Sequence, residues 1–386
     1  MKAIPALIIS LFFIALQISG QVIYIPEDYP TIQEGINAAN EGDTVLVSPG
    51  TYYENLALTG VNITLASHYL TSNDTSYISS TIINGGQNGS VITIYQGEDA
   101  STRISGFSIT NGKGNSGGGI RIFESDPYLD HLNIYGNSAS SGGGIYAYWC
   151  QPAISNCLIQ GNTATEQGGG IWLGTDSYSW DSPQLTDLVI KDNNAGYGGG
   201  IAMDFYIGGY FNGITVCHNT AGTGGGILFG YYGNVVFNPE HRCNIYQNSA
   251  AVGNDLYSHA NVDVIVDTFT VMNPTEFHAS EIEEFTFDIL NSKLEQVEYD
   301  LYISPEGDNN NSGLTADDPL RTIHHALTIL LASESGQRQI HLLDGIYSPE
   351  TNGEFFPVSL PDYVHLSGTA DSLVILDADS TDRVMQ

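Results

Sequence analysis

Carboxylates and aromatic rings crowd one recurring place in this sequence. Five copies of a Gly-Gly-Gly-Ile signature are each followed by a short stretch dense in both: Glu124, Asp126 and Tyr128; Tyr148 and Trp149; Asp176, Tyr178, Trp180 and Asp181; Asp204, Phe205, Tyr206 and Tyr210; Tyr231 and Tyr232. Directly after the five isoleucines stand Arg121, Tyr146, Trp172, Ala202 and Leu228. Aromatic faces flanked by hydrogen-bonding groups suit sugar rings, which have apolar C–H faces and hydroxylated rims. Tyr146, Tyr148, Trp172, Tyr178, Trp180 and Tyr206 are therefore the candidate glycan-binding residues. The competing reading is that rings on neighbouring strands stack only to stabilise the sheet. A pair of carboxylates at a suitable separation suffices for glycoside hydrolysis. That makes Asp176, Asp181 and Asp204 the candidate acids, with Arg121 as the basic residue on the aromatic column. Loop carboxylates are common in so acidic a chain, and the reading leans away from catalysis. No Ser/His/Asp spacing and no phosphate loop appears.

These residues recur because the chain repeats. The signature isoleucines are Ile120, Ile145, Ile171, Ile201 and Ile227, spaced 25, 26, 30 and 26 residues apart. A degenerate sixth copy, Gly253-Asn254-Asp255-Leu256, follows 29 residues later. Repeats this short cannot each bury a core, so neighbours must stack and share one. Ahead of the second and later copies an Asn recurs, at Asn137, Asn162, Asn193, Asn219 and Asn248. Apolar side chains lie three and five residues before it, as in Ile134 with Leu132 or Ile190 with Leu188. Strand alternation sends both members of a pair to one face, and likewise Ile120 with Ile122 or Ile171 with Leu173. Coils laid about 4.8 Å apart then build aliphatic columns inside, and an Asn column at the turn whose amides bond along the stack. The glycines permit positive φ and close backbone approach at the bend. The pattern predicts a parallel β-helix.

The flanks add organisation. Residues 1–20 read as a signal peptide, with Lys2, an apolar run from Ala3 to Ala15 and a Ser19-Gly20 exit; no later run is apolar for the ~20 residues a transmembrane helix needs. Residues 21–260 form the β-helix, opened by a short amphipathic helix at Thr31-Ile32-Gln33-Glu34, a capping-box pattern. A helix there covers the open apolar end and its unpaired strand edge. Residues 261–298 break the pattern and read as a connecting β-segment. Residues 299–386 restart it: Arg321-Thr322-Ile323 and Asp344-Gly345-Ile346-Tyr347 repeat the order of Pro30-Thr31-Ile32 and Pro49-Gly50-Thr51-Tyr52. Only two or three coils follow, so the sequence predicts a truncated second module. Ten Lys+Arg against 43 Asp+Glu, a formal charge of −33, argue against nucleic acid or anionic lipid as partner, and against polyuronates unless Ca²⁺ bridges the two. Ca²⁺ is the one cofactor suggested: Asp308, Asn310 and Ser312 place oxygens at alternate positions before Gly313, although Pro319 stands where the last acidic ligand of such a loop belongs. Cys157 and Cys243 share a repeat position three coils apart, too far for a disulfide; a Cys150–Cys157 bridge across a loop stays open.

On these residues, 21–260 resemble the right-handed parallel β-helices of the pectin-lyase-like superfamily. The pairing of Asn with Gly-Gly-Gly-Ile is similar to the repeat of chlamydial polymorphic membrane proteins, where Gly-Gly-Ala-Ile and Phe-x-x-Asn recur. The stretch from Tyr302-Ile303-Ser304-Pro305 to Gly345-Ile346-Tyr347 resembles the cap region of secreted bacterial β-helix proteins. The resemblance implies an all-β fold, a right-handed parallel β-helix with a short N-terminal capping helix and then the start of a second β-helix module. It implies a secreted or cell-surface, outer-membrane-associated protein, adhesin-like or polysaccharide-binding. A polysaccharide lyase or glycoside hydrolase is the alternative. The polygalacturonase elements are not present as a set: Gly-His-Gly and Arg-Ile-Lys are missing, and Asp317-Asp318 falls in the second module. Pectate lyases pair Ca²⁺-binding carboxylates with a base, for which Arg121 is the available residue.

Overall fold

The computed structural model describes residues 20–58, 60–175, 182–368, 373–380 and 383–385. One coil shows why this sequence winds as it does. Tyr128–Asp130 is a strand of sheet A; His131 then takes a left-handed φ of 52° and turns the chain into Asn133–Tyr135 of sheet B. Gly136 turns it again, ahead of Asn137, into the short strand Ser138–Ser141 of sheet D. The glycine triplet makes the next bend, into Ile145–Tyr148 of sheet C. The next three coils repeat these corners, with left-handed φ at Asn156 and Gly161, Asp187 and Asp192, and Gly213 and His218, and the strands pair in parallel with the coils on either side. Among the described residues sheets A and C hold nine strands each, sheet B ten and sheet D five.

The signature isoleucines fall in register, Ile120 on Ile145, Ile171, Ile201, Ile227 and finally Leu256. All six are fully buried, each contributing about 1.5–3 kcal/mol by leaving water. Leu129, Ile154, Leu185 and Phe211 make the matching file in sheet A, and Ile134, Ile159, Ile190 and Val216 that of sheet B. Each glycine of a triplet has its own reason. The first has φ between 61° and 66°, strained for any other residue. The second and third lie under the next coil: a Cβ on Gly143 would meet Gly169 O at 2.5 Å, and one on Gly144 would meet Gly170 O at 2.5 Å.

The asparagines form a buried, one-directional ladder. Asn162 donates from its backbone N and from Nδ2 to Asn193 Oδ1, at 3.0 and 3.1 Å, and Nδ2 also reaches Ile134 O at 2.9 Å. The same pairing joins Asn137 to Asn162, Asn193 to Asn219, and Asn219 to Asn248. The ladder ends on a carboxylate. Asn248 N and Nδ2 donate to Asp255 Oδ1 at 3.1 and 3.0 Å, and Asp255 occupies the position of the third glycine in the sixth copy.

Two helices open two modules by the same device. Thr31 Oγ1 accepts from Glu34 N at 3.2 Å and Thr322 Oγ1 from His325 N at 3.1 Å, satisfying donors that a helix start leaves unpaired. The carboxylate of the capping-box pattern comes from Glu54 instead of Glu34: its two oxygens accept from Ile32 N and Gln33 N, both at 3.0 Å. Glu354 does the same for Ile323 N and His324 N at 2.7 and 3.0 Å. Tyr52 and Tyr347 each donate their hydroxyl to the carbonyl four residues earlier. Between the modules, Val262–Phe269 and Phe285–Ser292 pair with each other as further strands of sheet B, and His278 Nε2 lies 2.9 Å from Thr328 O on the second helix. All four cysteines are free and buried; Cys150 and Cys157 both belong to the main core, with Leu132 and Leu188, and form no bridge. Among the described residues no helix is long and apolar enough to cross a membrane.

Candidate functional site

Inward positions of sheet C build the core, so the alternate ones face out. They stand in register as Arg121, Tyr146, Trp172, Ala202, Leu228 and Tyr257. Tyr146 and Trp172 stack at 4.4 Å with ring planes 8° apart. Trp172 is only 5 % exposed and its Nε1 donates to Gln167 Oε1 at 2.7 Å, so it supports the stack from within. Tyr148 leans on Trp172 at 6.0 Å and on Trp149 at 5.5 Å, and Phe123 adds to this end at 5.7 Å from Tyr148. Arg121 lies over Phe123, 5.6 Å from its centroid. Burial raises the Tyr146 phenol above its ordinary pKa, so it remains a hydroxyl donor.

The stack of rings is interrupted at Ala202, which is itself fully buried, and a groove of about 300 Å³ opens over the next residue of the file, Leu228. One wall is three rings from three consecutive coils, Phe205, Tyr231 and His259, with centroids 5.0 and 4.3 Å apart and planes 7° and 17° apart. Opposite stand Gln167, Tyr197, Thr223 and Val252, the last residues of consecutive sheet D strands. Leu228 and Tyr257 line the floor, and Asp204 lines the groove near Phe205 while accepting Phe205 N at 2.8 Å. Tyr206 stacks on Tyr232 at 5.2 Å outside the ring wall. Trp149, Tyr206 and Tyr232 hold φ of 54°, 64° and 110°, unfavourable for bulky side chains.

The structure thus brings Tyr146, Tyr148 and Trp172 together at one end of the face, and Asp204 and Tyr206 at the other. Asp176, Tyr178, Trp180 and Asp181 lie outside the described residues. Sequence reasoning did not single out Tyr197, Tyr257, His259, Gln167 or Thr223. The signal for Tyr197 was its place just before Gly198-Gly199-Gly200, the register position that faces the groove.

Two other clusters have local tasks. Asp308 Oδ1 accepts from Asn310 N and Nδ2 at 2.9 and 2.8 Å, and Ser312 N and Oγ donate to Asp318 Oδ2 at 3.0 and 2.7 Å. These bonds hold both carboxyls below the usual carboxylate range. Among the described residues no group of three or more His, Cys, Asp or Glu is placed to hold a metal ion. On the outer face of sheet A, buried Asp130 accepts from Arg103 Nε and Nη2 at 2.7 and 2.8 Å and meets His131 Nδ1 at 2.8 Å. Burial alone would raise Asp130; the hydrogen bonds of Arg103 and His131 outweigh it and lower its pKa. Tyr69 stacks on His131 at 4.4 Å, so this network fastens the short helices after residue 68 to the sheet.

Fold and surface together define a parallel β-helix with an aromatic outer face. The family described as a protein of unknown function, DUF1565, matches residues 305–373, the opening of the second module. No match was found among curated proteins. Among solved structures, rice weevil pectin methyl esterase is similar at 14 % identity over 70 % of this chain and 87 % of its own, with a TM-score of 0.28; a likeness at that score supports nothing about activity.

Proposed function

We propose that this is a secreted or cell-surface β-helix protein that binds polysaccharide along the outer face of sheet C, in an adhesin-like role. The observation that carries the reading is the wall of Phe205, Tyr231 and His259 in one groove with the Asp204 and Gln167 side chains: flat rings and hydrogen-bonding groups lining the same space. Phe205 and Tyr231 are 47 % and 37 % exposed, so stacking between coils leaves much of their surface free for a sugar face. Arrays of stacked repeats present such groups at regular intervals along an extended surface. Native gels cast with a panel of polysaccharides test this. Retention of the wild type and its loss in Tyr231→Ala and Tyr146→Ala, with unchanged circular dichroism, is the expected result; equal retention of folded variants reduces the rings to ladder-stabilising pairs. Asp204 in the groove is the one observation favouring a hydrolase or lyase. Release of reducing or unsaturated sugar from the same panel, with and without Ca²⁺, is the result that would establish it.

A further inference from the structure

We infer that the groove over Leu228 selects uncharged glycan chains lying parallel to the stacking direction, about one sugar per coil; this rests on the polysaccharide-binding reading above. The direction follows from the walls. Phe205, Tyr231 and His259 occupy successive coils on one side, and Gln167, Tyr197, Thr223 and Val252 occupy successive coils on the other. The groove therefore runs across the strands. Four coils span about 14 Å between outermost strands, and the ~4.8 Å step between coils is close to the length of one pyranose in an extended chain. A chain lying this way meets a fresh ring at each step. At the Gln167 end the groove side chain is fixed, since its Oε1 accepts from Trp172 Nε1.

Charge decides the class of chain. Among the described residues no Lys or Arg lines the groove, whereas Asp204 does. Arg121, the cation in register with this face, sits at the far end over Phe123. The chain as a whole has a formal charge of −33. A uronate or sulfated chain would bring an anion every few ångströms into a groove that holds Asp204 and no Lys or Arg among the described residues, its one imidazole, His259, lying with Nε2 2.8 Å from the Tyr257 hydroxyl; like charges in such a site cost affinity and association rate. Hydroxyl rims meet ordinary partners instead: the Asp204 carboxylate, the Gln167 amide, the Thr223 hydroxyl and the Tyr197 phenol.

The test is titration calorimetry with β-1,4-linked gluco- and manno-oligosaccharides of two to six sugars and with hexagalacturonate, in 20 and 300 mM NaCl, with EDTA and with Ca²⁺. Expected are binding of the uncharged chains that strengthens up to four sugars and then levels, the same Kd in both salts and in EDTA, and hexagalacturonate at least tenfold weaker in low salt. Asp204→Asn narrows that ratio. Hexagalacturonate binding as tightly as the uncharged hexamers, and losing affinity in Tyr231→Ala, overturns the selectivity while keeping the face as the binding site. Binding that Tyr231→Ala leaves untouched, or no binding by either class, overturns the face itself and this inference with it.

Discussion

Replacing Asp255 by Asn removes a charge from the end of the asparagine ladder while keeping the acceptor on which that ladder closes. In the wild type Oδ1 takes both donors of Asn248, and Oδ2 is buried without a hydrogen-bond partner. Burial pushes this carboxyl up from 3.8 to about 6, against the opposing pull of Thr270, whose hydroxyl is close without closing a hydrogen bond, and of Asn248. Sign matters here. A carboxyl with a raised folded-state pKa binds its proton more tightly when folded, so its contribution is favourable in acid and is lost as pH climbs from about 4 through about 6. The difference in pKa corresponds to about 3 kcal/mol at 1.36 kcal/mol per unit.

The amide of the Asp255→Asn variant has no such titration. Any fixed cost of burying that amide is equal at all pH values and cancels from the comparison. Urea unfolding of wild type and Asp255→Asn, at pH 4 and pH 7.5, isolates the term, provided the m-values agree. The stability of the variant minus that of the wild type should rise by about 2–3 kcal/mol between the two pH values. A difference that stays constant, or that falls, would falsify the account of a strained terminal carboxylate.

Three further outcomes follow from the coil geometry. Asn193→Ala strips the acceptor from Asn162 N and leaves Asn162 Nδ2 with Ile134 O alone; the orphaned buried backbone donor costs about 1–3 kcal/mol, seen as a lower urea midpoint. Gly200→Ala sets a Cβ 2.7 Å from Gly226 O and 2.8 Å from Val216 Cγ1, whereas Gly161→Asn adds a side chain where nothing lies within 4 Å, at a left-handed φ of 59° that Asn tolerates. The first should destabilise by several-fold more than the second, which stays within about 1 kcal/mol in thermal unfolding. His278 is held by burial at about 4, below its ordinary 6.5, so its stabilising contribution is complete above 6.5 and is lost as pH falls toward 4. Because His278 Nε2 contacts Thr328 O across the module junction, proteolysis between residues 293 and 300 should accelerate over that pH range; burial holds neighbouring His324 at about 4 as well, so His278→Gln should weaken the dependence and His278→Gln with His324→Gln should flatten it.

The interior was legible because stacking forces like residues over like. Once Ile120, Ile145 and Ile171 recur at one coil length, the core file, the Asn ladder and the need for glycine at the bends follow from strand alternation and strand spacing. Sheet D was harder to see. Its strands, such as Ser138–Ser141 and Thr163–Gln167, are short and polar, and their inward side chains are Ala139, Ala164, Ala195, Ala221 and Ala250. Alanine marks neither strand nor helix by periodicity, yet a narrow side of the coil admits nothing larger. The groove was illegible for a different reason. Its walls come from Tyr197 and Phe205, or Thr223 and Tyr231, whose approach depends on how far the chain folds back at each triglycine bend.

Outward positions are under no such compulsion, and that makes Ala202 informative. Aromatic neighbours on adjacent strands stabilise one another, so continuing the series Tyr146, Trp172 with another ring would have favoured the stack. The chain places a fully buried Ala202 and then Leu228 there, and the groove opens over Leu228. If the rings served stability alone, refilling the gap would be harmless to every property of the protein. Leu228→Trp tests this, since Leu228 is half-buried and lines the floor. The indole should lie in the groove with little strain, changing unfolding free energy by no more than about 1 kcal/mol. It should weaken oligosaccharide binding by about tenfold or more, roughly 1.4 kcal/mol or above, because it takes the volume a sugar would occupy. Unaltered binding by a folded Leu228→Trp protein would show that the open floor has no part in recognition.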